Sequence, residues 1–234
     1  MMNLLITGAG RGLGLQLAKL AVERGHAVVA CVREVAEASE GLLQLAAVHG
    51  DRLRIERLNV THEDEAAQLA AKLASQGMKL HGIINNAGIL LGREHAIESL
   101  PLHLVRLTFD VNVFGPMIVA KHLSPLLADD AGSVVLNISS EAGSVANAYG
   151  GDYPYAMSKA TVNMFSKQLN AALHKRGIRV LAIHPGWIRT DMGGQSAPLE
   201  ASASASGILD IAEGKTRVAD ALVFVDHSGR EMPL

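Results

Sequence analysis

The sequence predicts an α/β chain folded as a doubly wound parallel sheet of about seven strands with helices on both faces. Three observations carry this expectation. Short apolar runs alternate with longer helical patterns along nearly the whole chain, as parallel strands joined by helical crossovers do. Strands covered on both faces read as continuous apolar runs, and with much Ala, Leu and Val the mean hydropathy is positive. Finally, 234 residues suit one domain of this class, and no linker or repeat divides residues 1–234.

The elements follow in order. NLLIT (3–7) is an apolar strand. GLGLQLAKLAVERG places Leu13, Leu17, Leu20 and Ala21 on one helical face and stops at Gly25. HAVVACV (26–32) is a second strand, and residues 33–50 read as helical up to Gly50. RLRIERLNV (52–60) is a strand, followed by a helix with an acidic start that ends at Gly77. KLHGIINNAG (79–88) is a fourth strand. Residues 95–128 are mostly helical, with Pro101 and Pro116 interrupting or kinking them. GSVVLNISS (132–140) is a fifth strand, 154–176 a long helix, IRVLAIHPG (178–186) a sixth strand and ALVFVD (221–226) a seventh. The low-complexity stretch 197–214 reads as a small helix because of Leu199 and Ile208 to Ile211. Right-handed crossovers then give the doubly wound topology.

Composition excludes several function classes. The net charge is -2 with no long run of one sign, so nucleic acid and membrane surfaces are not expected partners. No apolar run approaches the ~20 residues of a membrane span. The start, MMNLLITGAG, lacks the basic region of a targeting peptide. The lone Cys31 has no internal disulfide partner, and a cytoplasmic, reducing compartment is expected. The ten histidines lack zinc spacing, so no metal is expected. No G-x-S-x-G elbow supports a hydrolase.

The first turn carries chemistry. TGAGRGLG sets Gly8, Gly10, Gly12 and Gly14 between a strand and a helix with T-G-x-x-x-G-x-G spacing. Missing side chains let the backbone approach a pyrophosphate, and the helix start offers free N–H groups to the anion. Enzymes that use NAD place an acid at the end of the second strand for the ribose hydroxyls. Val32 stands there, with Arg33 after it and Arg11 inside the glycine turn. Two guanidiniums suit a 2′-phosphate, so NADP(H) is expected over NAD(H).

TGAGRGLG, NNAG (85–88), NISS (137–140), YAMSK (155–159) and HPGWIRTDM (184–192), in this order over nearly the whole chain, resemble the short-chain dehydrogenase/reductase family. PGWIRTDMGG and FVDHSGREMPL are similar to its small carbonyl-reductase, sniffer-type branch. The resemblance implies a Rossmann fold and hydride transfer between NADP(H) and a carbonyl or alcohol. The family needs a tyrosine with a lysine four residues on, and i and i+4 share a helical face. Tyr155 has Lys159 there, whereas Tyr153 has Met157. Tyr155 is then the general acid/base, its phenol pKa of about 10 lowered by the ammonium, and Lys159 also holds the nicotinamide ribose.

NISSEAG leaves Ser139 and Ser140 open. The family's serine usually sits three residues before the glycine, which selects Ser140 before Gly143 for the oxyanion. The Ser140–Tyr155 interval is two residues longer than the commonest family spacing, and the surplus is placed in NAYGGDY. Asn112 matches the residue that holds a proton-feeding water. By the same resemblance Gly8, Arg11, Gly12, Leu13, Gly14 and Arg33 bind the nucleotide. Asn86, Ala87 and Gly88 pass its adenosine ribose, and Asn59 and Val60 stand where an Asp-Val pair contacts adenine. Asn59, being neutral, departs from that pattern. Pro185, Gly186, Ile188 and Thr190 lie beside the carboxamide, while Tyr153, Trp187 and Met192 are candidate pocket walls. The family also implies a homodimer or homotetramer through two long helices. A second reading, a nucleotide-binding regulatory or signalling protein with little turnover, stays open.

Overall fold

Period-two alternation on the first strand sorts the core into two halves. In the computed structural model, which describes residues 1–130 and 132–234, β1 (Asn3–Thr7) sends Leu4 and Ile6 to one face and Leu5 to the other. The remaining strands are β2 (Ala27–Val32), β3 (Leu53–Arg57), β4 (Gly82–Asn85), β5 (Val134–Ile138), β6 (Arg179–His184), the short β7 (Ile188–Arg189) and β8 (Leu199–Glu200), and β9 (Phe224–Asp226). Seven of them form one parallel sheet in the order β3-β2-β1-β4-β5-β6-β9. β7 and β8 pair separately, a ribbon that the sequence did not announce because each strand has two residues.

Helices α1 (Gly12–Glu23), α2 (Glu40–His49) and α7 (Ala201–Ala212) cover the face of Leu4 and Ile6. Helices α3 (Glu63–Ser75), α5 (Gly115–Leu123) and α6 (Tyr153–Leu173) cover the other. The expected doubly wound sheet with helices on both faces is present. The stretch 197–214 carries a three-turn helix packed against α1, more than a small one.

One expectation needs correction. Residues 33–39 are not part of the following helix: a 3-10 turn spans Val35–Glu37, and α2 starts after Ser39, whose hydroxyl accepts from Leu42 N at 3.4 Å as an N-cap. Pro116 does not end the helical stretch, but it follows directly on a π turn, and with no N–H for the Asn112 carbonyl four residues back it fits the expected interruption. Pro101 immediately precedes α4 (Leu102–Phe109), and the irregularity is a π turn at Asp110–Phe114. Together these make Leu102–Leu126 a helical stretch of 25 residues, long and apolar enough by length and composition to cross a bilayer. The stretch is apolar only on average: Arg106, Asp110 and Lys121 interrupt it, and it holds no continuous apolar run of span length. Its inner residues Val119 and Leu123 belong to the core beside β5.

Candidate active site

The chain reverses its winding between β1 and β4, the adjacent central strands. In open α/β sheets ligands bind beyond the strand C-termini at such a point. A cleft of about 890 Å³ opens there, bordered by residues that follow β1, β2, β4, β5 and β6. Strand order sets its length: Val32 and Arg33 lie toward one end, Gly8 and Asn86 at the centre, and Ser140, Tyr155 and Pro185 toward the other.

The centre is a backbone crossing. Gly8 has φ +65°, and a Cβ on it would lie 2.9 Å from Ala87 Cα. A Cβ on Gly14 would lie 2.2 Å from Gly8 O, so both positions require glycine. Asn86 ties the crossing: its Nδ2 donates to Thr7 O at 3.0 Å and Gly8 O at 3.1 Å. Thr7 Oγ1 accepts from the backbone N–H of both Asn86 and Ala87 at 3.0 Å. The start of α1 has no side-chain cap, and Gly12 and Leu13 line the cleft, leaving first-turn N–H groups for an anion. This glycine cradle with its uncapped helix start fits a dinucleotide pyrophosphate.

Arg33 is exposed and lines the cleft beside Val32. Arg11 also lines it, but Nη1 donates to Asp191 at 2.7 Å in an exposed ion pair. The two expected phosphate ligands are thus unequal, because one is already engaged. Asn59 and Val60 line the cleft; Asn59 Oδ1 accepts from Thr61 N and Oγ1, so its side chain closes a local turn. Gly88 borders the cleft next to Asn112 and Lys159. Across from them, Pro185 O accepts from Ser204 Oγ of α7 at 2.7 Å, and Gly186, Ile188 and Thr190 continue the wall.

Tyr155 and Lys159 come from one face of α6, and Nζ lies 5.4 Å from the tyrosine ring centroid. Nζ donates to Ile138 O at 2.7 Å. Burial holds the Lys159 ammonium down at about 8. The Tyr155 phenol is raised, not lowered as the sequence argument expected. Burial is the largest cause, opposed by a hydrogen bond with the Ser140 side chain and by the charge of Arg93, while Asp152 adds to the rise. The ammonium faces the ring rather than the hydroxyl, which explains why it does not offset the burial.

The two serines part company. Ser139 is buried, and its Oγ donates to Asn163 Oδ1 at 2.6 Å and Lys159 O at 3.3 Å. Ser140 Oγ accepts from Ala142 N at 3.2 Å and is directed at the Tyr155 hydroxyl, and the residue lines the cleft. Asn112 sits in the π turn, a distortion frequent at functional sites. Its Nδ2 donates to Ile89 O and Ser158 Oγ, and its Oδ1 accepts from Ile89 N at 2.9 Å. A methyl group on Gly88 would lie 3.4 Å from Asn112 Oδ1 and 3.7 Å from Lys159 Nζ, so both face the same small space.

Trp187 and Met192 line the cleft, as expected of pocket walls. Tyr153 is absent from the lining, contrary to expectation: two residues before Tyr155 on α6, it points roughly 200° away. Tyr149, from the surplus loop, takes the wall position and donates to Asp152 Oδ2 at 2.8 Å. Sequence reasoning missed Tyr149, Arg93 and the inner face of α6. On that face Lys159, Asn163, Ser166 and Asn170 recur at helical spacing, and each is bonded to the sheet or its loops. Polar residues on a buried face need partners, and that stripe was the available signal.

Similarity to known proteins agrees with this geometry. Residues 2–200 match the short chain dehydrogenase family. The chain is 36% identical over 152 residues to the C-signal of Myxococcus xanthus, covering 64% of this chain and 90% of that protein. It superposes on the carbonyl reductase Sniffer of D. melanogaster with a TM-score of 0.88 at 29% identity, over 100% of both chains. An NADPH-bound carbonyl reductase from chicken fatty liver gives a TM-score of 0.90 at 27% identity, over 100% of this chain and 99% of that one. With its glycine crossing at the switch point and its tyrosine-lysine pair on α6, the chain belongs to the short-chain dehydrogenase family.

Proposed function

We propose that the protein is an NADP(H)-dependent reductase of aldehydes or ketones, able to oxidise the alcohol in reverse. The observation that carries this reading is the convergence of Tyr155, Ser140 and Lys159 at one end of a cleft whose centre is the glycine cradle. Solved carbonyl reductases that superpose on the whole chain support it, one of them bound to NADPH.

The nucleotide's pyrophosphate would rest on Gly12, Leu13 and the start of α1, its 2′-phosphate by Arg33, and its nicotinamide beside Pro185, Gly186, Ile188 and Thr190. The chemistry it supplies when bound is a hydride for the carbonyl carbon. The chain's own residues do the rest. Ser140 Oγ donates to the carbonyl oxygen and stabilises the negative charge that grows there. Tyr155 Oη gives that oxygen its proton, completing the alcohol. Lys159 Nζ, set over the ring rather than at Oη, would hold the nicotinamide ribose hydroxyls, and Nζ and Asn112 Oδ1 face one small space through which a water would return the proton. Trp187 and Met192 wall the carbonyl from solvent.

The test is NADPH oxidation, followed by absorbance, against a panel of aldehydes and ketones, with nucleotide binding measured in parallel. Turnover with none of the panel despite tight binding would favour the second reading, a regulatory or signalling protein. The likeness to the C-signal motivates that alternative. Exposed Leu102, Leu107, Phe114 and Met117 near α4 and α5, with Met157 and Met164 on α6, support pairing of copies through these helices, which light scattering would read as a dimer or tetramer. The buried, free Cys31 is in keeping with a reducing, cytoplasmic compartment.

A further inference from the structure

At the Tyr155 end of the cleft stands a cation that the reaction above does not use. Arg93 lies on the loop between β4 and α4 and lines the cleft. Its Nε donates to Asp152 Oδ1 at 3.0 Å and its Nη2 to Asp152 Oδ2 at 3.4 Å. One edge of the guanidinium is therefore fixed by a carboxylate fork. Nη1 has no hydrogen-bond partner among the described residues. The anchor is sheltered and the cation open: side-chain exposure is 11% for Asp152 and 59% for Arg93.

Asp152 is itself held in an unusual way. Its φ of 47° makes it the one non-glycine residue in the left-handed region among the described residues. Backbone strain of this kind persists where the surroundings over-determine it, and it clusters at functional sites. Here the surroundings are Arg93 on one side and the Tyr149 hydroxyl on Oδ2 at 2.8 Å. Asp152 thus orients Arg93, and Tyr149 stands in the wall beside it.

Arg33 is uncommitted but lies at the opposite, β2 end of the cleft, and the charges nearer Arg93 are engaged. Arg11 and Asp191 pair with each other, Lys159 lies buried on Ile138 O, and Glu141 accepts from Asn147 Nδ2. Arg93 is near enough to the reacting tyrosine for its charge to pull the phenol pKa down. A guanidinium already oriented on one edge loses little freedom when its other edge binds a planar pair of acceptors.

We propose that Arg93 is a specificity-determining residue that binds a carboxylate carried by the substrate beyond its reacting carbonyl. The proposal rests on the reductase reading and narrows its substrates to oxo acids and formyl acids. The free Nη1 edge donates to the carboxylate, while Asp152 keeps the guanidinium from swinging into solvent.

The test pairs para-formylbenzoate with para-tolualdehyde, which has a methyl group in place of the carboxylate. Wild type is expected to show the higher kcat/KM with para-formylbenzoate. Arg93→Met should raise KM for that substrate about tenfold to a hundredfold and leave KM for para-tolualdehyde unchanged, while any change in kcat through the neighbouring Tyr155 phenol is shared by both aldehydes. Arg93→Lys should recover part of the loss, as a point charge without the fork. A second arm needs no turnover: calorimetric binding of para-(hydroxymethyl)benzoate and para-methylbenzyl alcohol to the NADPH-loaded full chain, in which no hydride can move to either alcohol, with tighter binding of the former lost in Arg93→Met. Equal changes in KM for both aldehydes would mean that the Arg93–Asp152 pair serves the fold alone, and equal affinity for both alcohols would likewise overturn the proposal. Failure of the reductase reading shows differently, as no NADPH oxidation with either aldehyde, and the binding arm still decides the role of Arg93.

Discussion

Lys159 lies over the face of Tyr155, with Nζ 5.4 Å from the ring centroid, and spends a proton on Ile138 O rather than on the phenol hydroxyl. The i, i+4 offset on α6 brings the two side chains together, and the C-terminal end of β5 decides where the ammonium points. Burial then moves both groups away from their charged forms, raising the phenol and lowering the ammonium.

That arrangement assigns the chemistry to one tyrosine. Tyr155→Phe is expected to abolish turnover and leave NADPH affinity nearly unchanged. Tyr153→Phe is expected to retain most activity, since Tyr153 lies outside the cleft lining. Lys159→Ala is expected to damage both turnover and nucleotide binding. Steady-state kinetics and nucleotide titration check all three, and a dead Tyr153→Phe enzyme would overturn the assignment.

The buried ammonium also makes stability depend on pH. Folded, Lys159 releases its proton at about 8; an exposed lysine does so at about 10.4. Between these values the unfolded chain binds a proton that the folded chain does not, so this contribution to stability rises with pH. The buried Cys31 thiol, held protonated, works in the opposite sense above ~8.5, as do the raised phenols of Tyr155 and Tyr149 above ~10. The measurement is therefore a difference. Denaturant unfolding without nucleotide should show Lys159→Met gaining on wild type by about 2–3 kcal/mol at pH 7 and losing that advantage by pH ~10. An advantage independent of pH would mean that the lysine is not held down by burial.

The serines should separate by type of damage. Ser139→Ala strands Asn163 Oδ1 in a buried setting and should cost about 1–3 kcal/mol of stability, read as a lower melting temperature. Ser140→Ala removes a hydroxyl whose backbone partner is Ala142 N alone, so melting should hardly change. Its kcat should fall by about two orders of magnitude, the scale of one lost oxyanion donor. Equal kinetic losses at both serines would withdraw the assignment to Ser140.

What the sequence showed and what it hid follow from the range of the interactions. Strands buried on both faces are legible because their apolar runs are local, and Tyr155–Lys159 is legible because a helix fixes the offset. The π turn at Asn112 depends instead on a loop 23 residues away: Asn112 bonds both backbone groups of Ile89. The Arg93–Asp152 pair spans 59 residues, and no local pattern announces it. Tyr153 was misplaced because loop proximity stood in for helical phase, and α6 begins one residue earlier than the sequence suggested. Arg11 was placed along the cleft, but Asp191, which occupies it, belongs to the turn after β7, 180 residues away.

Nucleotide choice should rest on Arg33. Val32 ends β2 where a carboxylate would serve NAD, and Arg33 follows it, exposed on the cleft. A charge-assisted hydrogen bond to a 2′-phosphate is worth about one to two decades in affinity. Arg33→Ala should weaken NADPH binding by that order and barely affect NADH. Adding Val32→Asp should reverse the preference, because its carboxylate repels the phosphate and accepts from a free 2′-hydroxyl. Arg11→Ala should do less than Arg33→Ala, since Asp191 already holds that guanidinium at 2.7 Å. High salt should weaken NADPH more than NADH, because an exposed phosphate contact is screened. The ratio of kcat/KM for the two nucleotides in wild type and these variants is the measurement. A wild type that uses NADH equally well would sink the prediction. A preference that survives Arg33→Ala but disappears in Arg11→Ala would show that the Arg11–Asp191 pair opens to take the phosphate.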